Sequence, residues 1–132
     1  MFLWAHCVAC ALCISSAHAA EVPDLGTRKL GTDWPAFLGP TADGKSSETG
    51  LNLNWKAKQP RLLWQRPLVE SYGMPSISRG RLVLYDRVKD KARVICLNSE
   101  TGAELWTVEH PTDYSDTIGY DNGPRCAPTI DD

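Results

Sequence analysis

Hydrophobic positions along this chain fall in short runs broken by Gly-containing or charged turns, the pattern of strands rather than of helices. Leu62-Leu63-Trp64-Gln65 predicts a short strand. Gly73-Met74-Pro75-Ser76-Ile77 predicts a second, with Pro75 at a strand start, where no ladder donor is needed. Ser78-Arg79-Gly80 reads as a turn, and Arg81-Leu82-Val83-Leu84-Tyr85 as the next strand. Leu82 and Leu84 point to one face and Val83 and Tyr85 to the other, so this strand is expected between two layers. Residues 86–91 carry mixed charges and read as a solvated turn. Val94-Ile95-Cys96-Leu97 opens with two β-branched residues, as a buried strand would. Residues 98–102 are polar and end in Gly102, which can supply the positive φ that closes a hairpin. Residues 103–108 run back and carry Trp106. The expectation is an all-β chain with a four-stranded antiparallel unit over about 73–108.

Two landmarks recur. Trp64 and Trp106 stand 42 residues apart (106 − 64), about what four short strands and three turns need. Met74-Pro75-Ser76-Ile77 corresponds to Ala127-Pro128-Thr129-Ile130, 53 residues on (128 − 75). The second unit therefore carries an insertion of 11 (53 − 42) between Glu109 and Arg125. It holds Tyr114, Tyr120, Asp113, Asp116 and Asp121, and is expected on a rim loop, where binding surfaces are built. A decorated loop without a ligand is the competing reading.

Leu97, Thr101, Gly102 and Trp106 match in place the repeat of the pyrroloquinoline-quinone-like (PQQ-like) β-propeller family, which this stretch resembles. Cys96 stands where Ala is usual in that repeat and Asn98 where Asp is usual; Asn makes the same turn bond. The resemblance implies four-stranded blades, with Trp64 and Trp106 in the position that docks on a neighbouring blade. An ordinary hairpin with a core Trp is the alternative. Asp33-Trp34-Pro35-Ala36-Phe37-Leu38-Gly39-Pro40-Thr41-Ala42-Asp43-Gly44 resembles the opening segment of exported PQQ-like propellers, and the likeness continues through Leu51 and Trp55. Residues 33–59 are expected to pack on the propeller, with Trp34 and Phe37 buried against its side; an aromatic ligand patch is the sharper alternative. About seven blades would need roughly 300 residues, so residues 60–132 are expected to be a partial, unclosed propeller, an amino-terminal fragment. An isolated fragment of that kind is expected to be marginally stable.

Residues 2–14 are almost wholly apolar, and Ala17-His18-Ala19 is a small-x-small cleavage site. This predicts a signal peptide over 1–19, cut before Ala20, and a periplasmic or secreted product. The leader lacks Lys and Arg; a lipoprotein signal is a lesser alternative. No later apolar run suggests an integral membrane span. Residues 20–32 contain Pro23, Gly26 and Gly31 and read as a linker. The net charge of −2 does not suit nucleic acid or an anionic membrane surface. Of the five cysteines, Cys96 and Cys126 lie beyond the leader; an exported chain could pair them, but Cys96 in an apolar strand reads as a plain buried residue.

No catalytic constellation stands out. His110 is the one His beyond the leader, and neither metal-ligand spacing, a Gly-x-Ser-x-Gly elbow nor a phosphate loop occurs. Two functions survive: a non-enzymatic exported propeller that binds or scaffolds a partner protein, and a quinoprotein dehydrogenase. The second would hold PQQ with Trp and Arg contacts and Ca²⁺ on acidic and amide side chains, residues that do not map onto this chain. A fold does not set function, so the binding or scaffolding module, with no cofactor on this chain, is the preferred expectation.

Overall fold

The computed structural model describes residues 23–28 and 30–131. The expected signal peptide lies outside them. Four strands, β1 (Ser76–Ser78), β2 (Arg81–Val88), β3 (Lys91–Asn98) and β4 (Glu104–Pro111), form one antiparallel sheet in chain order, and no helix occurs among the described residues. The chain is all-β, as its pattern predicts. Among the described residues no helix is long and apolar enough to cross a membrane.

Turn chemistry sets the register. Arg79 (φ 49°) and Gly80 (φ 77°) close the β1–β2 hairpin in the left-handed conformation that two-residue hairpins favour. Ser78 therefore belongs to β1 rather than to the turn. Lys89 (φ 57°) reverses the chain between β2 and β3. The turn expected over residues 86–91 is thus only Lys89 and Asp90, and Asp86 and Arg87 lie within β2. Both are buried, at 0% and 9% exposure, where solvated charges were expected. The physical reason is pairing. Asp86 stands opposite Arg93 in the β2–β3 register, and Arg93 donates to both carboxylate oxygens at 2.7 and 2.6 Å.

Paired residues share a face, so the sheet has two distinct sides. One carries Leu82, Leu84, Ile95 and Leu97, which pack with Trp64 into the core. The other carries Ser76, Val83, Cys96 and Trp106, paired in register. Ile95 and Cys96 are adjacent in sequence, point to opposite faces, and both have 0% exposure. The sheet is therefore covered on both sides at β3; Val83 and Leu84, also on opposite faces, are both buried on β2, the strand for which two covering layers were expected.

Other expectations need correction. Leu62-Leu63-Trp64-Gln65 makes no strand: it lies outside the sheet and is held through the Trp64 side chain. The first strand begins at Ser76 rather than Gly73, and β4 runs to Pro111. Glu109 to Pro111 belongs to the sheet, which leaves residues 112–124 for the insertion expected between Glu109 and Arg125. Residues 23–28, expected to be linker, pack on the β1–β2 turn. Leu25 N donates to Arg79 O (3.1 Å), Arg81 Nη1 donates to Pro23 O (2.7 Å), and Gly80 leaves no room for a Cβ beside Thr27 Oγ1.

Candidate functional site: the Trp64 dock and the rim loop

Asn98 builds the turn on which Trp64 sits. Its side-chain oxygen accepts from Glu100 N (3.0 Å) and Thr101 N (3.1 Å), and its backbone oxygen accepts from Gly102 N (2.9 Å). Asn at the usual Asp position makes the expected turn bond. The Thr101 hydroxyl accepts from Ala103 N at 3.3 Å. Gly102 (φ 71°) lets the Trp64 ring lie directly on the backbone; a Cβ there would come within 2.7 Å of the indole. The indole N–H donates to Ser99 O at 3.0 Å. Trp64 is thus both hydrogen-bonded and in contact with the core that includes Leu97, which has 0% exposure. Arg66, two residues on, pairs with Glu104 at 2.8 Å and fixes the direction in which the segment passes the start of β4.

The motif residues divide into two groups. Leu97, Thr101, Gly102 and Trp64 meet at this dock. Pro75 and Pro128 flank a second junction, where the Ser76 hydroxyl donates to Pro128 O across the opposite face. Trp106 belongs to neither. It lies on β4 opposite Cys96, 44% exposed, beside an open pocket of about 200 Å³ lined by Ser78, Arg81, Val83 and Ile130.

The loop after β4 is tied to the sheet and to itself by several contacts. Arg87 Nη1 reaches from β2 to the carbonyl oxygens of Tyr114 and Asn122, the latter at 3.2 Å. Gly123 passes so close to Glu70 that a Cβ would lie 2.4 Å from its carbonyl carbon. The Asp116 side chain, 4% exposed, ion-pairs with Arg125 at 3.1 Å and accepts from Tyr120 N at 2.7 Å. Chiefly the Tyr120 amide, with further help from Asp121, Ile118 and Arg125, holds the Asp116 carboxyl below the usual carboxylate range against the opposing effect of burial. Tyr114, Ile118 and Tyr120 are left pointing outward at 49%, 70% and 74% exposure. A lowered pKa means the ordering contribution is complete above the ordinary Asp range, near 3.9, and is lost as pH falls through the lower folded value. The protection factor of the Tyr120 amide, its exchange rate relative to that of the unstructured chain at the same pH, is therefore expected to fall in acid in the wild-type protein. In Asp116→Asn the protection factor should be low at neutral pH and nearly independent of this titration; an unchanged acid profile in the variant would exclude Asp116 as the cause.

Sequence reasoning missed Asp86, Arg87 and Arg93. Opposite charges, Asp86 and Arg93, stand at equal distances on either side of Lys89-Asp90, and that symmetry was a signal in the sequence. Burial raises the Cys96 thiol above its ordinary range, which keeps it protonated and unreactive. Cys96 and Cys126 are both free, one buried and one exposed. His110 lies on exposed β4. Among the described residues no three His, Cys, Asp or Glu side chains are grouped to hold a metal ion.

Set against known proteins, the chain matches no family model, and no curated protein or solved structure matches it significantly.

Proposed function

We propose that this chain is part of an exported PQQ-like β-propeller that works as a binding or scaffolding module rather than through a cofactor held here. The Trp64 dock carries this reading. Trp64 comes from chain that precedes the sheet and packs on the Gly102 turn of the sheet, which is how a blade's outer-strand Trp would meet its neighbour. Trp106, 42 residues later, stands on β4 with a partly exposed ring, which on this reading is the surface for a following unit. The Ser76 contact to Pro128 also fits, because inner strands of successive blades run side by side around an axis. The ordered rim loop, with Tyr114, Ile118 and Tyr120 outward, supplies aromatic and aliphatic side chains of the kind that anchor protein interfaces. The quinoprotein alternative draws no support from a particular contact.

Equilibrium dialysis of the chain against PQQ with Ca²⁺ tests the preferred reading through a positive result, because a quinone site on the axis would draw ligands from several blades. The scaffold reading expects no stoichiometric binding at micromolar quinone, and stoichiometric binding would replace it with the quinoprotein reading. Mass spectrometry of the exported product is expected to find the amino terminus at Ala20. Retention of Met1 in a cytoplasmic product would remove the export part.

A further inference from the structure

We infer that residues 33–44 form a clasp that joins β1 to the 128–130 segment along their inner edges. The axial placement of the clasp rests on the propeller reading above: there, this cassette, and not a ligand, occupies its sector of the central channel.

The cassette first folds on itself. Gly39 (φ 75°) lies against the Trp34 ring, where a Cβ would come within 2.8 Å of three indole atoms. The Trp34 indole N–H reaches Phe37 O at 3.4 Å, Gly39 N donates to Ala36 O at 2.9 Å, and Gly44 N donates to Leu38 O at 2.9 Å. Asp43 accepts from the Thr41 hydroxyl (2.6 Å) and from Lys45 N (3.1 Å), tightening the second turn. Phe37, expected to be buried, is 60% exposed; its carbonyl rather than its ring is used.

The folded cassette presents two backbone residues as a short edge strand. Trp34 and Ile77 exchange two hydrogen bonds, at 2.8 and 2.9 Å, on the free side of β1. The next residue, Pro35, accepts from Ile130 N at 2.9 Å. Asp33 anchors the near end by accepting from Arg79 N at 3.1 Å and pairing with Arg28 at 2.5 Å. Two segments 53 residues apart in sequence are thus bonded to adjacent residues of one strap. Pro35 has no N–H to offer a third strand, so the strap also ends the ladder. On the propeller reading the first strand of a blade borders the central channel, and a strap on the free edge of β1 then faces that channel.

Hydrogen exchange followed by NMR on the whole chain tests the clasp. Gly39→Ala places a methyl group in the Trp34 ring and should unseat the strap without touching the sheet. Losing a net hydrogen bond at each end should speed exchange of both the Ile77 and Ile130 amides about ten-fold, with Ile95 unchanged. Trp34→Ala removes the ring without backbone strain and should do the same should Gly39→Ala fail to fold. Faster exchange at Ile77 alone, or equally at Ile95, would overturn the clasp. Absence of further blades in downstream sequence would overturn only the axial placement and leave the two-amide result standing.

Discussion

Gly102→Ala is expected to lower the unfolding free energy by about 2–4 kcal/mol, combining left-handed strain in a residue with a Cβ and overpacking against the Trp64 ring. The cause is local and double: φ is 71° and the new methyl would lie within 2.7 Å of the indole. Urea titration with tryptophan fluorescence measures it. Trp64→Ala separates the two contributions, because in that background the added methyl meets no ring. Gly102→Ala should then cost only the backbone part, about 1–2 kcal/mol. A coupling of roughly 1–3 kcal/mol between the two positions is therefore expected. Strict additivity would mean that Trp64 does not dock on the turn in solution, and the blade reading would lose its main support.

Arg93→Ala is the second large effect, about 3–5 kcal/mol, the usual cost of leaving a buried charge without its partner. Asp86 has 0% exposure and its carboxylate receives both Arg93 bonds, so the variant strands it. Asp86→Ala should cost less. The Arg93 side chain is 23% exposed and can turn its guanidinium into water, while Asp86 has no such escape. The carboxylate also holds the Arg93 guanidinium above its ordinary range, against the effect of burial. Replacing both residues with apolar ones of similar volume should recover most of the loss. Equal costs for the two single variants would contradict this asymmetry. The pair sits between the core residues and the β2–β3 turn, so its loss should also loosen Lys89 and Asp90, and through Arg87 the rim loop that Arg87 holds.

Local pattern determined the strand order of the sheet. Short apolar runs bounded by Gly or charged turns made β2 and β3 visible, and Asn98 with Gly102 made the β3–β4 turn visible, because these signals act over a few residues. The recurrences also marked, from sequence alone, Trp64, which seats on the Gly102 turn, and Pro75 and Pro128, which flank the Ser76 contact, but not where Trp106 goes. What the pattern could not decide is where a charged or aromatic side chain goes when its partner is far along the chain. Asp86 and Arg87 look like loop residues until Arg93 and the carbonyls of the rim loop are placed beside them. Leu62-Leu63-Trp64-Gln65 looks like a strand, but among the described residues it joins no sheet and is held through the Trp64 indole. Trp34 and Phe37 look alike in composition, yet one is seated on Gly39 and the other is exposed. In each case the outcome depends on contacts between segments distant in sequence, whose energies exceed local propensity and which only the tertiary structure brings together.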